Sequence, residues 1–278
     1  MKLGFSRFDR EASLVTTLAT GQNCGVTYQL YEALNLWYLG FPDQALQRGK
    51  DAIATAVDLQ HAFSHCFALW HCSWLHNLLR EHEQAEELAG QALKMAIEQS
   101  FILWKLLAMV DQNYAIFKLR RSAEALEPVE QAGGGIVFLG SKLNIPHFSH
   151  HLAEIKFGLG DHEGAMADLE VERQHAHDSN EKYTLPELHR LRGEFLLQTS
   201  DNTVDAESEF RQAIEFARQS SARSWELRSA TSLARLLQAQ GRRAEAKAEL
   251  ADIYNWFTEG FDTPDLQDAK SLLDELDT

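Results

Sequence analysis

Cysteine, proline and basic charge are all scarce in this 278-residue chain, and each shortage removes a class of protein. The three cysteines, Cys24, Cys66 and Cys72, are odd in number and have no CxxC spacing, which argues against a disulfide framework or a cysteine-based structural zinc site. Such usage fits a reducing cytoplasm. Lys and Arg number 26 against 41 Asp and Glu, a net charge of -15, so the concentrated basic surface that a nucleic-acid backbone demands is missing. No apolar run reaches the ~18 residues of a membrane span. The first residues, MKLGFSRFDREAS, hold no apolar core before their charges begin, so no secretory leader is expected. Five prolines and few strand-like runs, in a sequence rich in Ala, Leu, Glu and Gln, predict an all-α protein.

What is present is a repeat. Small residues return at Ala45, Ala85, Ala125, Ala165, Ala206 and Ala246, spaced by 40, 40, 40, 41 and 40 residues. A second ladder keeps step upstream at Ala33, Ser73, Asn113, Ala153, Gly193 and Ala234. Two small positions per unit imply two helices in close contact, and a hairpin of that kind completes its core only by stacking on its neighbours. The expected architecture is an α-solenoid of six αα-hairpins. They are expected at about 23–60, 61–100, 101–142, 143–183, 184–221 and 222–260, after an N-terminal extension over 1–22 and before a capping helix over 261–278. Thr263 and Pro264 read as the start of that cap, with Leu266, Ala269, Leu272, Leu273 and Leu276 as its apolar stripe. Gly40, Gly160 and Gly241 stand five residues before a ladder alanine, where they relieve a helix end; Arg80, Arg120 and Asp201 take that place elsewhere.

Apolar or small residues four and seven beyond the ladder alanine, such as Ala89 and Ala92 or Phe210 and Ala213, resemble the second helix of a tetratricopeptide repeat. Four stretches extend the likeness: WYLGFPDQAL (37–46), LPELHRLRGEFLL (185–197), SWELRSATSLARL (224–236) and WFTEGFDTPDLQDAKSLL (256–273). They are similar to the C-terminal repeat region of bacterial signalling proteins that join a cyclase or winged-helix DNA-binding domain to a regulatory ATPase. The resemblance implies a regulatory module whose catalytic and nucleotide-binding motifs belong to upstream domains. None of those motifs has a counterpart here, so no enzymatic activity is expected of this chain. A regulatory tail, a truncated reading frame and a stand-alone relative all fit.

Two constellations invite other chemistry. GGGIVFLGSK (133–142) places its lysine one position late for a phosphate loop and has no preceding strand; Pro128 and the glycines instead suggest a soft third repeat. His147, His150, His151 and Glu154 share a helix face, yet one helix rarely completes a metal's coordination sphere. No metal and no cofactor are expected.

The tetratricopeptide likeness implies that the first helix of each hairpin lines the concave face. Inward positions are then Trp37, Phe67, Trp70, Trp74, Tyr114 and Phe117 in the first three repeats, and His150, Glu154, Arg190, Glu194, Arg228 and Arg235 in the last three. Aromatic and arginine side chains are common interface anchors. A protein or peptide segment, or an upstream domain of the same protein, is the expected partner. The alternative is a small effector enclosed by Trp70, Trp74 and Tyr114.

Overall fold

The computed structural model describes residue 17 and residues 21–179, 181–200 and 202–277, so most of the 1–22 extension, and Asp201, lie outside the described residues. Thirteen α-helices follow in order: α1 (Cys24–Tyr38), α2 (Pro42–Asp58), α3 (Ala62–Leu78), α4 (His82–Glu98), α5 (Ile102–Arg120), α6 (Leu126–Phe138), α7 (Ile145–Gly158), α8 (His162–Ser179), α9 (Leu185–Ser200), α10 (Thr203–Ser220), α11 (Arg223–Ala239), α12 (Arg243–Tyr254) and α13 (Pro264–Asp277). Short 3-10 turns at 123–125 and 142–144 precede α6 and α7. No strand occurs among the described residues. The fold is the α-solenoid that the two ladders imply, with six hairpins and a terminal helix.

The ladders mark where helices touch. Ala45, Ala85, Ala125, Ala165, Ala206 and Ala246 are fully or almost fully buried, as are Ala33, Ser73, Ala153 and Ala234. A larger side chain at these points would force the paired helices apart. Among the described residues, five of the hairpin turns leave the first helix through one residue of positive φ, at Gly40, Arg80, Arg121, Gly160 and Gly241. After Gly40, Arg80, Gly160 and Gly241 the next amide reaches back to a free helical carbonyl, as Phe41 N–H does to Leu36 at 2.8 Å and Arg242 N–H to Leu237 at 2.8 Å. In the third repeat the turn residue is Arg121, one later than the ladder position Arg120.

In the third repeat Pro128 and the three glycines are accommodated within one helix, α6. Pro128 sits in the first turn of α6, where no intrahelical N–H is required of it. Gly135 lies where an added Cβ would come within 2.8 Å of Leu106, so this glycine permits close packing of α5 on α6.

The array turns back on itself, an outcome the repeat pattern alone does not imply. Trp37 on α1 meets Trp225 on α11 edge-to-face at 4.8 Å, and Phe41 meets Trp256 at 5.5 Å. Ser224 Oγ donates to the Trp37 carbonyl at 2.5 Å, and the Arg228 guanidinium donates to the Leu78 carbonyl. The start of α2 has no side-chain cap of its own. Glu259 supplies one from the far end of the chain, accepting the Asp43 and Gln44 amides at 3.1 Å each. A Cβ at Gly40, whose φ is +88°, would lie 2.7 Å from the Trp256 ring, so only glycine fits the turn and the approach together. These contacts form a seam between the first two hairpins and the last hairpin with its cap.

Candidate functional site

Inside the closed array lies a cavity of about 370 Å³. It is walled by the first helices of hairpins two to six and by α13, with side chains from Asn77 on α3 round to Asp268 on α13. Its walls are charged. Lys118, Arg121, Arg190, Arg228, Arg235 and Arg80 face Glu154, Glu187, Glu194, Asp265 and Asp268.

Most of these charges are already matched. Glu154 accepts from the Tyr114 hydroxyl and from Lys118, both at 2.7 Å. Arg190 forks onto Glu187 at 2.8 and 2.7 Å, while Ser232 donates to Glu194 at 2.6 Å. Arg228 pairs with Asp265 at 2.7 Å, and Arg80 reaches Asp265 at 3.2 Å and Asp268 at 2.7 Å. Burial alone would raise the Glu154 carboxyl, but Lys118, Arg190 and the Tyr114 hydroxyl hold it down at about 2. Glu187 is likewise pushed up by burial and drawn below its ordinary value by Arg190 and Arg228. Burial, reinforced by Lys118, lowers His82 to about 4, so it stands neutral at the rim. Two cations remain underused. Arg235 is half exposed and only 3.8 Å from Asp268. Arg121, exposed at the turn, lies over the Phe117 ring and makes no ion pair among the described residues.

Six of the twelve expected groove residues line this cavity: Tyr114, Glu154, Arg190, Glu194, Arg228 and Arg235. The other six require correction. Phe67, Trp70 and Phe117 are buried in the core shared by hairpins one to four, and Trp37 is buried in the seam. Trp74 is half-buried, wedged against that core and 4.7 Å from the His147 ring. His150 is buried against α8, with Nδ1 4.0 Å from Glu172. The cause is curvature. The helices of the first three hairpins approach closely enough on their inner side for aromatic side chains to fill the space between them, so no aromatic-walled chamber forms. Sequence reasoning also missed Lys118, Arg121, Asp265 and Asp268, which stand near helix ends or on the cap rather than at mid-helix inward positions.

Behind the cavity Glu172 is wholly buried, and neither carboxyl oxygen has a hydrogen-bond partner among the described residues. Burial raises it to about 8, against the pull of the nearby Thr184 hydroxyl and with the push of Glu187. Burial also lowers His150. Both effects favour uncharged partners over an ion pair at their 4.0 Å separation.

No protein-family model and no curated protein matches the sequence. Solved structures do resemble the fold. NprR in complex with its cognate peptide NprX aligns with a TM-score of 0.64 and 14% identity, covering 90% of this chain and 71% of that one. A Rap protein complexed with Competence and Sporulation Factor aligns at 0.62 and 13%, covering 91% and 74%. A signal-transduction ATPase with numerous domains and a tetratricopeptide repeat sensor, from Pyrococcus horikoshii, aligns at 0.52 and 13%, covering 93% of this chain but 42% of its own. At such identities the likeness is one of fold. It supports a tetratricopeptide-like α-solenoid fold for this chain.

Proposed function

We propose that this chain is a non-catalytic regulatory module that captures a short peptide segment in its charged cavity. The observation that carries the reading is the cavity's unequal charge: its carboxylates are paired with resident cations, while Arg121 and Arg235 keep donors to spare. Such forks match a peptide's terminal or side-chain carboxylate. Two proteins of similar fold, NprR and Rap, hold NprX and Competence and Sporulation Factor in their complexes, which supports a peptide as the guest. The absence of catalysis is part of the proposal. Glu154 near 2 and His82 near 4 are poorly matched to proton transfer at neutral pH. The likeness of 37–46, 185–197, 224–236 and 256–273 to cyclase-linked and winged-helix regulators supports a role in which occupancy of the cavity reports to an output domain.

A small carboxylate-bearing effector is the second reading, favoured by a volume within the usual ~300–1,000 Å³ of small-ligand sites. An apolar effector is disfavoured, because the aromatic half is filled. Selection of short peptides from a random library displayed with free C-termini tests the first reading. Selected peptides should lose at least tenfold affinity on Arg121→Ala with Arg235→Ala. Failure to select any, or equal binding to wild type and the double variant, overturns the cavity as a peptide site.

A further inference from the structure

One group of buried polar side chains takes no part in the cavity's pairing. Asp111 on α5 is fully buried, and among the described residues no lysine or arginine neutralises it. The Ser73 hydroxyl, which donates to the Trp70 carbonyl at 2.7 Å, lies 3.3 Å from its Oδ2, and Asn77 Nδ2 donates to its main-chain carbonyl at 3.2 Å and lies 3.5 Å from its Oδ1. Its Oδ1 faces Nε2 of His147, 3.1 Å away. His147 and His151 stand one helical turn apart on α7, and both are buried. Asp111, His147 and His151 each offer a donor atom, and the three atoms lie within 4.8 Å of one another.

Two features distinguish this cluster from an ordinary buried Asp–His pair. First, the 3.1 Å approach of His147 to Asp111 does not have hydrogen-bond geometry: neither ring nitrogen of His147 has a hydrogen-bond partner among the described residues. Donors that share an ion at about 2.0–2.2 Å stand roughly 3–3.5 Å apart with their lone pairs converging rather than facing each other. Second, the surroundings resemble the outer shell of a metal centre. Ser73 and Asn77 flank the carboxylate at 3.3 and 3.5 Å, while Trp74 packs 4.7 Å from the His147 ring and Tyr114 3.9 Å from the His151 ring. The reason for expecting no metal, that one helix rarely supplies enough ligands, does not hold once α5 contributes a carboxylate. Of the four residues singled out on that face, Glu154 turns instead to Lys118 and His150 to Glu172.

We propose that Asp111, His147 and His151 form a binding site for a divalent transition-metal ion of the zinc type. Two imidazoles and a carboxylate suit such ions and not the oxygen-preferring calcium or magnesium. The ion would bridge hairpins three and four. Tyr114 and Asn77 touch the cluster on one side and line the cavity on the other, so the bound ion would also stiffen the cavity wall.

The test begins with the purified chain stripped by chelator, titrated with Zn²⁺ in a calorimeter and with Co²⁺ under visible absorption. One ion per chain should bind, with cobalt bands of an imidazole-containing site. His147→Gln and Asp111→Asn should each weaken Zn²⁺ binding at least tenfold. His150→Gln, beside a ligand in sequence but turned toward Glu172, should stay within twofold of wild type. If Asp111→Asn loses the helical circular-dichroism signal, His151→Gln carries the same expectation. Absence of saturable binding overturns the site. So does equal binding by every ligand variant, which would trace the ion to exposed histidines such as His177.

Discussion

Equivalent inward positions of the repeat are solid at one end of the molecule and hollow at the other. Three residues before the upstream ladder stand Trp70, Val110, His150, Arg190 and Thr231 in successive hairpins; one residue after it stand Trp74, Tyr114, Glu154, Glu194 and Arg235. In the second and third hairpins Trp70 and Val110 are core. From Tyr114 onward the second series lines the cavity, and from Arg190 onward the first does too. Backbone register therefore decides where a side chain points. Its size and charge decide whether the space in front of it is filled, because charged groups kept ionised retain room and partners that an indole would displace.

The comparison breaks most sharply if the aromatic half tolerates truncation. Phe117 is fully buried between the third and fourth hairpins, so Phe117→Ala should cost about 3–5 kcal/mol in denaturant unfolding. A loss under about 1 kcal/mol would mean that this half is a groove after all. In the charged half the penalty arises differently. Arg190→Ala leaves Glu187 buried without its fork, at about 3 kcal/mol, whereas Arg190→Leu combined with Glu187→Leu should recover most of that stability. Equal losses in the single and double variants would show that packing, not charge, governs this wall.

Glu172 extends the contrast to pH. Its folded pKa near 8 lies above the ordinary 4.5, so the folded state keeps a proton that the unfolded chain releases between those values. Its contribution to stability therefore falls as pH rises from about 4.5 to 8. Glu172→Gln should remove that slope, with a gain that grows across the window to a few kcal/mol at pH 8. Parallel stability curves for variant and wild type from pH 5 to 8 would place the ionised carboxylate in the folded protein.

The ladders made the hairpins legible because a helix contact tolerates only small residues, and that demand recurs once per unit. The capping helix was legible for a similar reason, its five apolar residues forming one stripe. The mixture of core and cavity positions was not, since inward-facing residues obey one periodicity whether they meet solvent or another helix. Closure was hidden for a different reason. Trp37, Gly40 and Phe41 contact Trp225, Arg223 and Trp256 at the other end of the chain, and no local pattern encodes so distant a pairing. A signal was nevertheless present. The stretches 37–46, 224–236 and 256–273, singled out because the generic repeat does not demand them, supply most of the seam, and 185–197 supplies Glu187, Arg190 and Glu194 of the cavity.

The smallest expected effect concerns the seam, where it separates a closed array from an open one. Gly40→Ala combines a left-handed backbone with a methyl group pressed against Trp256 and the Arg223 side chain, so about 1–3 kcal/mol should be lost. The size matters less than the distribution. If the two ends support each other, hydrogen exchange should quicken in α1 and α2 and also in α11 and α13, while α6 to α8 keep their protection. In an open solenoid, where each repeat senses only its neighbours, the disturbance would remain within the first two hairpins. Exchange confined to residues 24–98 would therefore show that the seam does not couple the ends in solution, and that the cavity is open on that side.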